Sequence, residues 1–151
     1  MAEQQSDVSI GNITELKGNG RVVREHAPYD AALSFSIESF DNVETSNGRM
    51  GITFLNDTQV RLTEHSELLI DEFIYDPNPS KSKMALNFTS GTARFITGKL
   101  NNINKENIAI RTPSANVSIR GTDFTLTVNE LGNLLLYYYL KMMVLQVEKY
   151  L

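Results

Sequence analysis

Few residues in this chain have types and spacings that could do chemistry. The two histidines, His26 and His65, lie far apart, and each follows a glutamate. A zinc site needs further ligands, and a catalytic triad needs a nucleophile positioned beside its histidine. The chain has no cysteine, which excludes thiolate ligands and disulfides. Both histidines are therefore interpreted as surface residues.

Carboxylates cluster at Asp71, Glu72 and Asp76. Calcium takes six or more oxygen ligands, usually alternating along a glycine-containing loop, and this segment lacks that pattern. Carbohydrate hydrolysis would need two carboxylates converging on one face, and no such pair can be placed from the sequence. We therefore predict a solvated acidic face here. We predict no catalytic, cofactor-binding or metal-ligating residue in the chain, and no cofactor.

The charge balance argues against nucleic-acid binding. The formal net charge is −4, whereas a basic surface supplies most of the affinity for phosphates. Residues 1–80 carry 5 basic and 14 acidic side chains, and residues 81–131 carry 7 basic and 3 acidic ones. We expect the two parts to pack together so that their charges offset. The alternative is a local anion-binding strip formed by Lys81, Lys83, Arg94, Lys99, Lys105, Arg111 and Arg120.

The elements that must position these groups are predicted to be strands. Apolar and polar residues alternate in short segments, as in Ile52-Thr53-Phe54, Val60-Arg61-Leu62 and Phe124-Thr125-Leu126. This period places one side of each segment in a core and the other in water. Turn residues recur every ~8–12 positions, a spacing typical of all-β sandwiches, barrels and solenoids. The sequence therefore predicts an all-β protein.

Three further segments need interpretation. Residues 66–76 could form a short helix capped by Ser66, but apolar residues on both faces favour a strand. Residues 77–83 are rich in proline, serine and lysine, so we expect a long exposed loop. Phe88 and Phe95 would stack on bases if they were exposed. Their alternation with polar residues places them in the core instead.

Several short motifs follow one another in a fixed order. They are Asp41-Asn42-Val43-Glu44-Thr45; Gly51-Ile52-Thr53-Phe54-Leu55-Asn56-Asp57-Thr58-Gln59-Val60-Arg61-Leu62; Ser66-Glu67-Leu68; Leu86-Asn87-Phe88-Thr89-Ser90-Gly91 with Phe95 and Gly98; Ile110-Arg111-Thr112-Pro113-Ser114-Ala115; and Ile119-Arg120-Gly121-Thr122-Asp123-Phe124. This ordered set resembles the FecR domain family, named after the regulator of iron-dicitrate transport. The resemblance covers about Ile13 to Val128.

The resemblance implies many short strands wound as a solenoid-like or roll-like β domain, with a β-sandwich as the alternative. It implies a structural role for Asp41, Thr45, Asn56, Asp57, Thr58, Gly91, Gly98, Thr112, Pro113, Arg120, Gly121, Thr122 and Phe124. Arg120 is interpreted as part of a fold-defining pair, with an anion or a partner's carboxylate as the alternative contact. Asn56-Asp57 replaces the family's Asp-Gly, so we expect a changed turn type without loss of the fold.

The predicted organisation has three parts: a polar N-terminal segment (1–12), a FecR-like β domain (13–131) and an atypical apolar tail (132–151). One hypothesis for the tail is a reading-frame shift near Gly132, because an alternative frame through Met142-Met143-Val144 can encode a turn and a further strand. The alternative is a native C-terminal helix docked on the sheet. The longest apolar run, Leu134–Leu140, is too short to span a bilayer.

The leading expectation for function is a non-enzymatic, soluble module of FecR type for protein interaction, signalling or regulation. It would use exposed strand edges and the 77–83 loop to bind a protein partner or a second copy. The alternative is a structural component of a virion or cell-envelope assembly, and a carbohydrate-active β-solenoid enzyme ranks third. We expect no nucleic acid, membrane insertion or small-molecule substrate. No signal peptide is visible in Met1–Asp7, although the resemblance suggests an extracytoplasmic or virion-associated protein of bacterial or phage origin.

Overall fold

A computed structural model of the protein describes residues 8–74, 83–96, 108–119, 123–138 and 145–149. Within these ranges the chain forms twelve strands and no helix, which confirms the all-β prediction. The strands are β1 (Ser9–Arg24), β2 (Ala27–Asp30), β3 (Ser36–Glu38), β4 (Asn42–Phe54), β5 (Gln59–Leu62), β6 (Glu67–Ile74), β7 (Lys83–Ile96), β8 (Ile108–Arg111), β9 (Ala115–Ile119), β10 (Asp123–Val128), β11 (Leu134–Tyr138) and β12 (Leu145–Lys149). Strand β6 confirms the strand interpretation of the segment that begins at Ser66.

Two long strands, β4 and β7, each contribute to two layers. The first half of β4 pairs with β6, and its second half pairs with β5. The first half of β7 also pairs with β6, and its second half with β5. The four antiparallel pairings β4–β5, β5–β7, β7–β6 and β6–β4 therefore close into a small barrel.

Phe88 and Phe95 show how sharply β7 bends. Seven residues of a straight strand would separate the two side chains by roughly 23 Å, yet their ring centroids lie 6.2 Å apart. Gly91, which lies between them, has a φ of 96°, a conformation that glycine adopts without a side-chain clash. The bend brings the two halves of β7 to face each other across the core.

The remaining strands extend both layers from the barrel. β1 runs antiparallel to β4 along both of its halves. In the first layer, β10 pairs with the second half of β7, and β11 pairs with β10. In the second layer, β8 pairs in parallel with the first half of β7, followed by β9 and β12. The first layer is therefore ordered β1–β4–β5–β7–β10–β11.

The core forms where the inward positions of the two layers meet. Its largest fully buried side chains are Phe54, Phe88, Phe95, Phe124, Ile13, Ile37, Met50, Ile52, Leu62, Leu68, Ile70 and Met84. Burying a side chain of this size stabilises the fold by about 1.5–3 kcal/mol. The burial of Phe88 and Phe95 confirms that they are core residues.

At both ends of the chain, the structure adds detail to the sequence-based expectations. β1 begins at Ser9, inside the segment expected to precede the domain, and Ile10 joins the core. In the tail, β11 and β12 are strands, so the helix alternative does not hold over those residues. The frame-shift hypothesis, the domain divisions and the choice between a solenoid-like roll and a sandwich stay predictions. The expected 77–83 loop lies outside the described residues except for Lys83, which opens β7.

Candidate functional site

Asp41 is fully buried and binds Arg24 of β1 through two hydrogen bonds. Arg24 Nε donates to Asp41 Oδ1, and Arg24 Nη2 donates to Asp41 Oδ2, both at 2.8 Å. Asp41 Oδ2 also accepts the backbone N–H of Glu38 at 2.8 Å, and Arg24 Nη2 donates to the carbonyl of Ser36 at 2.8 Å. We call Arg24, Ser36, Glu38 and Asp41 the clamp, because they tie β1 to β3 and to the residue that precedes β4.

Further contacts surround the Arg24 guanidinium. Its Nη1 lies 3.3 Å from a carboxylate oxygen of Glu38, and its central carbon lies 5.3 Å from the centre of the Phe35 ring. The hydrogen bond with Asp41 outweighs the effect of burial and raises the pKa of Arg24. Such a bidentate, charge-assisted pair fixes geometry. This is the chemistry that the sequence led us to expect at Arg120, which lies outside the described residues.

Thr45 lies where β4 passes from one layer to the other. Its Oγ1 donates to the carbonyl of Thr63 at 2.6 Å and accepts the N–H of Ser66 at 2.9 Å. The Ser66 hydroxyl accepts the N–H of Thr92 at 3.1 Å and donates to the carbonyl of Thr92 at 3.2 Å. A Cβ added to Gly91 would lie 2.5 Å from the Cα of Ser66. Thr45 and Gly91 therefore hold the corner between the layers.

Asn56, Asp57 and Thr58 form the turn between β4 and β5. Asn56 Oδ1 accepts the N–H of Thr58 at 3.1 Å, and the N–H of Phe54 donates to the carbonyl of Thr58 at 2.9 Å. Asp57 has a φ of 69°, the left-handed conformation that the family's glycine adopts most easily. The hairpin forms with Asp57 in this conformation, and the difference in turn type from the family stays a prediction.

The last motif residues are only partly described. Thr112 is buried, and its Oγ1 donates to the carbonyl of Ala115 and accepts the N–H of Ala115, closing the turn between β8 and β9. Pro113 in the same turn is exposed. Phe124 stacks on Phe95 with ring centroids 5.1 Å apart. Four further motif residues lie outside the described part of the chain: Gly98, Arg120, Gly121 and Thr122.

The outward face of the first layer carries an open groove of about 470 Å³. Its cationic lining residues are Lys17 of β1, Arg49 of β4, Arg61 of β5 and Arg94 of β7. Strand register places Lys17 opposite Arg49, and Arg61 opposite Arg94. Gly51 lies opposite both Glu15 and Arg61, and the Glu15 side chain lies over it, where a Cβ on Gly51 would come within 3.1 Å of the Cβ of Glu15. We call this surface the arginine groove.

Two arginines of the groove are held loosely. Arg61 Nη2 lies 3.6 Å from Glu15 Oε2, and Arg49 Nε lies 3.6 Å from Glu64 Oε2. Both separations are too long for hydrogen bonds. The side chains of Arg61 and Arg49 are 44% and 66% exposed. Their guanidinium groups can therefore turn toward a ligand at little cost.

Carboxylates lie beside the cations at both edges of the groove and partly neutralise their charge. Arg94 donates from Nε and Nη2 to the two carboxylate oxygens of Asp123, at 2.9 and 2.6 Å. A hydrogen bond to its own backbone, with a smaller contribution from Arg49, lowers the pKa of Glu64. Glu64 is therefore ionised at neutral pH, and the groove is a mixed surface in which cations outnumber carboxylates.

Sequence reasoning did not find this grouping. Among the described members of the predicted basic strip, Arg94 lies in the groove, whereas Lys83 opens β7 at its far end and Arg111 belongs to β8 in the second layer. Arg49 and Arg61 come from the acidic part of the chain. Their position next to buried Met50 and Leu62 signals an outward orientation, but only strand register brings them beside Arg94.

The other candidate groups give no site. His26 and His65 are exposed turn residues with φ values of 69° and 56°, which confirms the surface interpretation. Over the described ranges, no group of three or more His, Cys, Asp or Glu residues could hold a metal ion. None of the described residues belongs to a helix long and apolar enough to cross a membrane.

The comparisons with known proteins give one match. The family described as FecR protein matches residues 41–135, more than half of the chain. No curated protein and no solved structure matches the chain. The match begins at the buried carboxylate of the clamp and includes the corner, the β4–β5 turn and the Phe95–Phe124 stack. The chain therefore belongs to the FecR family.

Proposed function

We propose that this FecR-type domain is a non-enzymatic regulatory module that acts by binding a partner protein. The observation that carries the proposal is the contrast between its two groups of arginines. Arg24 is tied into the scaffold, whereas Arg49 and Arg61 stand on the solvent side of a rigid sheet with long, weak contacts. Membership of a family of regulators supports the same function.

The shape of the arginine groove favours a macromolecular partner. Substrate pockets are usually concave sites that bury most of a small ligand, whereas this groove is open and lies across five strands. Directly beneath it lie the core residues Met50 and Leu62, both 1% exposed. A sheet that is already ordered presents its side chains without a large entropy loss on binding. The groove therefore suits a docking surface.

Site-specific photocrosslinking in the native host tests the proposal. A photoreactive residue would replace Glu15 in the arginine groove or, as a control, Arg111 on the second layer, which is also exposed. We expect the photoreactive residue at position 15 to crosslink one defined protein, which mass spectrometry identifies. The same residue at position 111 should not crosslink that protein. Deletion of the gene should also change the transcript level of a defined set of genes.

Two results would contradict the proposal. The first is that neither position crosslinks a protein and deletion leaves transcript levels unchanged. The second is that the purified chain cleaves a polysaccharide, with released sugar measured over time, which would favour the enzyme hypothesis instead.

A further inference from the structure

Building on the proposed function, we infer that the arginine groove binds a short, extended acidic segment of the partner protein. We also infer that Glu15 competes with this segment for Arg61. The carboxylates of the segment would engage Arg49 and Arg61 and displace the long contact that Glu15 now makes.

Two cations of the groove lie directly opposite each other. Arg61 and Arg94 occupy facing positions on β5 and β7, an arrangement that destabilises a sheet unless an anion lies nearby. Asp123 supplies that anion to Arg94 through two hydrogen bonds, whereas Arg61 is held less closely. The second layer has a facing pair of the opposite sign, Glu44 and Glu67. There, Asn42 Nδ2 donates to both carboxylates at 3.0 and 2.9 Å, so that pair is bridged within the chain. Within the described part of the chain, Arg61 has a 3.6 Å contact with Glu15 and a 3.4 Å contact with Gln59, and both are weak enough to leave it available to an added anion.

The cationic row has the length of a short peptide. Arg94 on β7 faces Arg61 on β5, and Arg49 on β4 faces Lys17 on β1. The second pair is offset by two residues along the strands, because Arg61 lies opposite Gly51. Three strand spacings of ~4.8 Å and this offset of roughly 7 Å give a diagonal row of about 16 Å, which an extended chain covers with about five residues. Alternate side chains of such a segment point the same way. Two or three carboxylates can therefore face the groove at once.

The charge of the groove suits a few carboxylates better than a continuous polyanion. The groove and its edges combine Lys17, Arg49, Arg61 and Arg94 with Glu15, Glu64 and Asp123. Four cations against three carboxylates leave one excess positive charge, within a chain of net charge −4. Nucleic acids and sulfated polysaccharides carry charge along their whole length and need a larger basic surface. A short segment with few carboxylates needs only the groove.

Glu15 is placed to compete with the incoming segment for Arg61. The Glu15 side chain is 60% exposed, and its Oε2 is 3.6 Å from Arg61 Nη2, so it contributes little to stability. It nevertheless neutralises the cation that an incoming carboxylate must reach. Removing Arg61 and removing Glu15 should therefore change affinity in opposite directions, an outcome that a purely structural ion pair would not produce.

The test uses fluorescence anisotropy with the full chain and a fluorescein-labelled peptide of alternating Glu and Ala. We expect Arg61→Gln to weaken binding about tenfold and Glu15→Gln to tighten it about threefold. Arg21→Gln is the matched control, because it removes the same positive charge as Arg61→Gln. Arg21 is 56% exposed and is bound to Glu44 on the second layer. This control should leave affinity within about twofold of the unaltered chain. Thermal melts of each variant check that the fold is kept.

Four outcomes would overturn the inference. Equal losses in Arg61→Gln and Arg21→Gln would mean diffuse attraction without a groove site. Unchanged affinity in both Arg49→Gln and Arg61→Gln would remove the groove as the site, while the crosslinking experiment could still support a partner protein. Tighter, Arg61-dependent binding of an oligonucleotide or a sulfated polysaccharide would replace the peptide as the ligand. Self-association that Arg61→Gln abolishes in sedimentation would make a second copy the occupant.

Discussion

Two arginines of this domain, Arg24 and Arg61, each lie beside a carboxylate, but in different surroundings. Arg24 contacts a fully buried Asp41 through two 2.8 Å hydrogen bonds. Arg61 stands 3.6 Å from an exposed Glu15. Separating Arg24 from a buried carboxylate would leave that charge without its partner, whereas a loose, solvated pair costs little to separate. The clamp therefore belongs to the scaffold, whereas the arginine groove has the looser contacts expected of the recognition surface that we propose.

The family match covers Asp41 of the clamp but not Arg24. It begins at Asp41 and includes Thr45, Asn56 and Gly91, whose described contacts all lie within the fold. Arg61 also falls inside the matched range, but its side chain points away from the core. A domain built in this way can keep its scaffold while the side chains on its outer face vary between partners.

The largest expected effect comes from breaking the clamp. Asp41→Ala leaves Arg24 partly buried without its carboxylate and removes the acceptor of the Glu38 N–H, so we expect the unfolding free energy to fall by about 3–5 kcal/mol. Asp41→Asn keeps an acceptor oxygen and should cost less. Urea denaturation measures both variants. Glu15→Ala in the arginine groove is the comparison, and an equal loss there would contradict the distinction between the two regions.

The second effect tests whether the corner also belongs to the scaffold. Thr45→Val keeps the volume of the side chain but removes the oxygen that accepts the Ser66 N–H. An unpaired buried amide lowers the unfolding free energy by about 1–3 kcal/mol, and urea denaturation measures this loss. Thr53→Val is the control, because the hydrogen bond between the Thr53 and Thr14 hydroxyls is exposed. Equal changes in the two variants would show that Thr45 does not hold the corner.

Much of the fold could be predicted from the sequence, because alternation is a local property. The pattern around Phe54, Val60 and Phe124 identified strands and their inward faces. The bends could not be predicted, because they depend on contacts between distant residues. Gly91 turns β7 against Ser66, which is 25 positions away, and neither residue alone indicates that contact.

The candidate site was harder to predict for the same reason. The position of Arg61 between Val60 and Leu62 signals that it points outward. Arg94 lies beside Arg61 because of the register of β5 against β7, and no local sequence pattern specifies that register. Only one side of the clamp could be predicted from the sequence. The family motif includes Asp41, whereas its partner Arg24 lies in a segment without a motif.

The third prediction concerns a pair of intermediate character, Arg94 and Asp123. Its geometry is bidentate like that of the clamp, but the Arg94 side chain is 38% exposed, so water screens the interaction. We expect Asp123→Ala to lower the unfolding free energy by about 1 kcal/mol, between the losses expected in the clamp and in the groove. A loss as large as that of Asp41→Ala would show that exposure does not separate the two regions.

The fourth prediction is that Arg61→Gln leaves stability within about 0.5 kcal/mol of the unaltered chain. It removes a weak contact with Glu15 and also relieves the facing charge of Arg94, and these two effects oppose each other. Because screening acts on exposed charges, this small difference should shrink further between about 0.05 and about 0.5 M salt. A loss above about 2 kcal/mol would place Arg61 in the scaffold and remove the basis for a recognition role.

The smallest effect is the titration of Glu64 at the edge of the arginine groove. Its pKa is lowered below 4.5, first by the hydrogen bond to its own backbone and then by Arg49. A lowered pKa in the folded state means that its stabilising contribution is present above 4.5 and is lost as pH falls through the lower folded value. Carboxyl NMR shifts followed against pH should show this, and Arg49→Gln should restore the pKa only in part. Full restoration would mean that Arg49, and not the backbone, is the main partner of Glu64, so that the groove has one fewer cation to offer a ligand.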